Sequence, residues 1–162
     1  MVKYTTKYFG EISIDETSDF EFIELVYKNK EIIISLHECN IYGNKLKVCL
    51  EIIDKYEEID KIAKKAIVEN FSKNKIIEDY FRCHFDELEE EKIIEIFGMK
   101  DFEFFDIEKT VGKFGYPNFL FGIDDGEINL SVDYMISKEY SDQILCVKMD
   151  EELNVTGYSH ES

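Results

Sequence analysis

Apolar and polar residues alternate with a period of two at both ends of the chain and with a period near 3.6 in the middle. In the first stretch, Ile12 and Ile14 fall on one side of "YFGEISID", Ile23, Leu25 and Tyr27 on one side of "DFEFIELVY", and Ile32, Ile34 and Leu36 on one side of "EIIISLHEC". Period-two alternation marks half-buried strands, and the polar break "KNK" at 28 to 30 predicts a hairpin between the last two runs. From Leu46 the small or apolar positions Cys49, Ile52, Ile53, Tyr56, Ile59, Ala63, Ala66 and Ile67 recur at steps of three and four, with Glu51, Lys55, Glu58 and Lys61 between them. That spacing predicts an amphipathic helix, with Asn44 placed as its N-cap.

A second helix is predicted from about Asn74 to His84, burying Ile76, Ile77, Tyr80, Phe81 and His84 or Phe85. Asp86 with Glu89 three residues on has the form of a capping box, ahead of Ile93, Ile94 and Phe97, and Gly98 is placed to stop that third helix. The acidic run "DELEEE" at 86 to 91 thereby acquires a local reason, since carboxylates are favoured in a first helical turn. Strand patterns then return. "DFEFFDIE" is a candidate, "FLFGI" and "EINLSVDYMI" flank a tight turn at Asp125 and Gly126, and "QILCVKM" and "NVTGYSH" close the chain. The order of strands, helices and strands predicts an α+β fold, a single domain over 1–162 with an antiparallel sheet and a central block of two to three helices on one face.

Charge narrows the function. The 162 residues hold 36 acids against 19 lysines and arginines, a net charge of -17, and Arg82 is the only arginine. Affinity for nucleic acid comes from Lys and Arg neutralising phosphates, so the composition argues against a nucleic-acid partner and favours a basic protein, which such a field would steer. No apolar run approaches the ~18 residues of a membrane span, and the start lacks the apolar core of a secretory signal, so a cytoplasmic location without membrane partners is expected. Cys39, Cys49, Cys83 and Cys146 form no CxxC pattern and read as reduced, mostly buried thiols.

His37 with Cys39 and Cys83 with His84 make up two histidines and two cysteines, a complement able to hold zinc. Adjacent residues on a helix diverge by about 100°, however, so Cys83 and His84 are poorly placed to share a metal. The acids near both cysteines oppose a reactive thiolate, and no cofactor, metal or catalytic residue is assigned. "GKFG" at 112 to 115 reads as a turn before Pro117. For contact with a partner the sequence offers the acidic second part, namely Asp124, Asp125, Asp133, Tyr134, Asp150, Glu151 and Glu152, although Tyr116, Phe119, Tyr134, Tyr140 and Tyr158 fit a core more readily than a contact ring.

"YFGEISID" at 8 to 15, "DYFRCHFDEL" at 79 to 88 and the closing "VTGYSHES" resemble a small bacterial family, number two thousand and four in the domain-of-unknown-function series, over nearly the whole length. The motif positions, of unknown role, are Phe9, Gly10, Glu11, His84, His160, Glu161 and Ser162. The resemblance implies a cytosolic bacterial α+β domain, similar in size and acidity to the immunity proteins that sit beside polymorphic toxins, and it brings no catalytic residues. The function expected is therefore non-enzymatic binding of a basic protein such as a toxin domain. The alternative is a small enzyme or ligand-binding domain using His84, His160 and a carboxylate such as Glu11 in a cleft between sheet and helices.

Overall fold

The computed structural model describes residues 1–39 and 44–162. Among these residues eight strands and five α-helices follow in the order β1 (Val2–Thr6), β2 (Gly10–Ile14), β3 (Phe20–Tyr27), β4 (Lys30–His37), α1 (Lys45–Ile53), α2 (Tyr56–Asn70), α3 (Lys75–Glu87), α4 (Glu90–Phe97), α5 (Ile107–Val111), β5 (Asn118–Asp124), β6 (Glu127–Tyr134), β7 (Ile144–Met149) and β8 (Val155–Glu161). The fold is α+β. β1 and β2 form a two-stranded sheet, and the other six strands form a sheet in sequential order from β3 to β8.

Two tight turns set the register at opposite ends of that sheet. Lys28 and Asn29 take φ of 48° and 63°, and Asp125 and Gly126 take 50° and 78°. Left-handed conformations at both central residues match the right-handed twist of the flanking strands, so Tyr27 pairs with Lys30 and Asp124 with Glu127. The sheet is mixed: β4 and β5 run parallel, Ile34 beside Phe119, and the remaining neighbours are antiparallel. The parallel pair arises because the chain leaves β4, builds the helical block and must return to the starting end before entering β5.

The alternation along each strand directs Ile32, Ile34, Leu36, Phe119, Phe121, Leu130, Val132, Tyr134, Leu145 and Val147 toward the helices, where all are buried. The helices answer with Ile53, Tyr56, Ile59, Ala63, Ile67, Ile77, Tyr80 and Phe81. Three tyrosine hydroxyls join the layers. Tyr56 donates to the Pro117 carbonyl at 2.6 Å, Tyr134 donates to the Asp60 carboxylate at 2.6 Å, and the Tyr80 hydroxyl accepts the Ile136 N–H at 3.0 Å. The β1–β2 hairpin closes one side, burying Ile12 and Ile14 and bringing the Phe9 ring to 5.1 Å from Tyr56.

The structure departs from the sequence pattern at three places. The continuous helix expected from Leu46 to Ile67 breaks at Asp54 and Lys55, where the Asp54 carboxylate accepts the Lys7 N–H of the hairpin at 2.8 Å. Asn44 does take the N-cap position of α1, though without a side-chain cap bond, whereas Asn74 caps α3 by accepting the N–H groups of Ile76 and Ile77. The capping box fails because α3 runs on through Asp86 to Glu87: Phe85 extends its apolar stripe, stacking on Phe97 at 4.5 Å. Glu89 then precedes α4, leaving Glu90 and Glu91 in its first turn, and Gly98 ends it at φ 75°. "DFEFFDIE" is not a strand. Phe102 and Phe105 stack at 5.1 Å, a spacing of three suited to the 3-10 turn Phe102–Phe104, and Asp106 caps α5 by accepting the Lys109 N–H.

Substituting Tyr56→Phe keeps the ring and strands the Pro117 carbonyl in the core, so a loss of about 1–3 kcal/mol is expected in urea denaturation. A loss below ~0.5 kcal/mol would show that the hydroxyl does not tie the layers.

Candidate functional site

α3 packs on β7 and β8, and this brings His84 and His160 together. The Cys83 Sγ lies 3.6 Å from Nδ1 of His84 and 3.8 Å from Nε2 of His160, and the Tyr80 ring contacts both imidazoles. His84 is 1% exposed. Its Nδ1 donates to the Tyr80 carbonyl at 2.7 Å, which leaves Nε2 of the neutral ring as an acceptor for the Ser141 hydroxyl at 2.9 Å. Nε2 of His160 donates to the Gln143 side-chain oxygen at 2.5 Å. A cleft of about 410 Å³ lies alongside, lined in part by His84, Met135, Lys138 and Ser141.

Chemically the Ser141–His84 contact has nucleophile–base spacing, but the Ser141 Oγ also accepts the Gln143 N–H at 3.2 Å. It is thus bonded on both sides and pins the connection between β6 and β7 to the end of α3. Burial lowers the His84 pKa, the Tyr80 carbonyl opposing and His160 adding to the effect. Burial, with Glu87 and Asp86 next, pushes the Cys83 thiol up to about 11, so it stays protonated near neutral pH. Glu11, the carboxylate expected beside the histidines, is instead exposed on β2 and paired with Lys3 at 2.8 Å.

The two Cys/His pairs weighed as a zinc complement lie apart. His37 is exposed against the Phe20 ring, and Cys39 is buried beside Cys49. Among the described residues no group of three or more His, Cys, Asp and Glu side chains is arranged to hold a metal ion, and no helix is long and apolar enough to cross a membrane.

The acidic contact set divides in two. The β5–β6 and β7–β8 turns lie side by side, joined by the Ile128 N–H donating to Glu151 at 2.8 Å, so Asp124, Asp125, Asp150, Glu151 and Glu152 converge at one end of the sheet. Some of this acid is structural. Asp150 accepts the N–H groups of Glu152 and Asn154, and Glu151 is paired with Lys45 at 2.7 Å. Both carboxyls are held below their ordinary values, Asp150 chiefly by the Asn154 N–H and Glu151 chiefly by the Ile128 N–H. Asp124, Asp125 and Glu152 are exposed.

Tyr134 does not belong with them: it is 2% exposed and turned to the helices, because its strand position shares the face of Val132. Asp133 is also remote from the turns. It accepts the Ser131 hydroxyl at 2.5 Å on the opposite sheet face, and burial raises its pKa. The motif positions Phe9 and Gly10 serve the hairpin, Gly10 at φ 68°, and Glu161 accepts the Ser159 hydroxyl.

On the face turned away from the helices, Phe20, Phe22, Val26 and Leu120 are 47%, 51%, 69% and 42% exposed. Ser35 sits between Phe22 and Leu120 in the paired strands. Leu120, Gly122 and Asp124 follow one another on the same side of β5, so this apolar row runs into the acidic turns. The sequence carried a signal for it, since Phe20 and Phe22 alternate against Ile23 and Leu25. Ser141 and Gln143 left no signal, being ordinary loop residues. No family model, curated protein or solved structure matches the chain.

The lowered His84 pKa has a definite sign. The unfolded chain binds a proton below about pH 6.5 that the folded ring resists, so stability is full above that pH and falls below it. His84→Gln should therefore lose less stability than the parent between pH 7.5 and 5.5, and NMR titration should place the His84 midpoint below about 6.5. A midpoint at or above that value would show the ring is not held neutral.

Proposed function

We propose that this chain is a non-catalytic protein-binding domain of the immunity type, which receives a basic partner such as a toxin domain on the acidic turn end and the adjoining open face of the sheet. One observation carries the reading: a row of half-exposed Phe20, Phe22 and Leu120 leads directly to Asp124 and Asp125 in a chain of net charge -17. Large apolar side chains supply affinity at an interface, while the surrounding charge sets encounter rate and orientation. The turn end fits the second task because Asp150 and Glu151 hold the two turns in a fixed relation, presenting Asp124, Asp125 and Glu152 to solvent.

The alternative, an enzyme using His84, His160 and a carboxylate, gains from the meeting of the two imidazoles and loses on the rest. Glu11 is absent from the cluster, and both nitrogens of His84 are occupied by protein groups.

The test starts with the neighbouring genes, which should encode a toxin with a basic domain, and then measures stopped-flow association with that domain; a neighbourhood without one counts against the proposal. Reversing Asp124, Asp125 and Glu152 to Lys is expected to slow association by about tenfold at low salt and to flatten its salt dependence, while Phe22→Ser with Leu120→Ser should speed dissociation. Unchanged kinetics in both variants would remove the proposal.

A further inference from the structure

β3 is the terminal strand of the six-stranded sheet, and among the described residues β4 is its one hydrogen-bonded strand neighbour. Its eight residues pair with β4 without a register shift, from Phe20 opposite His37 to Tyr27 opposite Lys30. Natural edge strands are blunted by lysine, proline, bulges or short length. The sequence FEFIELVY has no lysine and no proline, and its length and regular pairing leave a continuous backbone edge without a bulge. The opposite edge differs: β8 pairs with β7 through an irregularity at Lys148 and Met149.

What β3 has instead is acid. Glu24 is exposed on the strand, Glu31 is exposed on β4 opposite Val26, Asp19 is exposed just before the strand, and Glu21 is half-buried, accepting the Asp15 N–H at 3.1 Å. Lys28 at the turn is engaged by Glu57 at 3.1 Å, while Lys30 at the start of β4 and Lys138, which lines a cleft with Glu24 and Glu31, are further cations nearby, so the net charge along this edge remains acidic. Carboxylates along an edge repel a second copy of this acidic chain, whose β3 would bring the same groups face to face, and they admit a strand of opposite charge. Phe20, Phe22 and Val26 lie on one face of β3 and would pack against alternate side chains of an added strand.

We propose that β3 is a docking edge at which a basic protein partner adds an extended strand, with lysine or arginine beside Glu24 and Glu31 and apolar residues extending the row of Phe22. This rests on the protein-binding reading above and specifies how the partner is held. Backbone hydrogen bonds give the strand its affinity, and the acid selects its sign.

The probe is a synthetic peptide of alternating lysine and valine, with two controls: the same peptide N-methylated on alternate amides, and one with glutamate in place of lysine. Hydrogen exchange of the full chain should slow across 20–27 on adding the first peptide, with both controls weaker by about tenfold or more. A Phe22→Lys, Glu24→Lys double variant, checked for a native far-ultraviolet spectrum, should lose the protection. Equal binding of the N-methylated peptide, or protection confined to β8 or to the 124–127 turn, would overturn the proposal. The toxin-domain measurement separates the two ideas: binding unchanged by the double variant sinks the docking edge and leaves the protein-binding reading standing, while no binding to the parent chain sinks that reading itself.

Discussion

The fold depends on hydrogen bonds that cross an otherwise apolar interface between helices and sheet. The chain has no tryptophan, so its largest polar-tipped ring is tyrosine, and it places Tyr56, Tyr80 and Tyr134 in the core. Each buried hydroxyl must find a partner or forfeit its hydration, and here each finds one contributed by the other layer. Apolar packing alone would tolerate the helices sliding along the sheet. The pairs Tyr56 with Pro117, Tyr80 with Ile136 and Tyr134 with Asp60 do not, because a shift of one turn would strand three polar groups at once.

The same constraint governs the site region. Tyr80 and His84 lie one turn apart on α3, so the bond that anchors Ile136 also sets the imidazole at the level of Ser141. The connection between β6 and β7 is thereby fastened at Ile136, Ser141 and Gln143 to side chains from α3 and β8. With the helix-facing side committed in this way, the other side of the sheet and its turns are left open to solvent.

Much of this was legible in the residues, for physical reasons that can be named. Strand periodicity is strong where one face is buried and the other wet, and both hairpins follow from short turn segments whose central residues accept positive φ. What was lost depended on tertiary contacts. Asp86 resembles an N-cap until Phe85 is seen to stack on Phe97 and draw the helix past it. The repeated phenylalanines of "DFEFFDIE" suit a strand by composition, yet the spacing of Phe102 and Phe105 lets them stack in a tight turn. The meeting of His84 with His160 could not be read locally, because it requires α3 to cross the last two strands. The acidic second part was legible as charge, while its division into turn-holding and exposed carboxylates was not.

The parallel joint between β4 and β5 has a consequence for how the molecule comes into being. The Ile33 N–H reaches the Asn118 side chain across 85 positions of sequence, whereas the hairpins on either side close over two-residue turns. Contacts of such separation must wait until the intervening entropy has been overcome, so the joint between β4 and β5 is expected to form after the hairpins on either side of it. During synthesis the N-terminal hairpins would emerge with both β3 and β4 unsealed, until the helical block and β5 have followed them out.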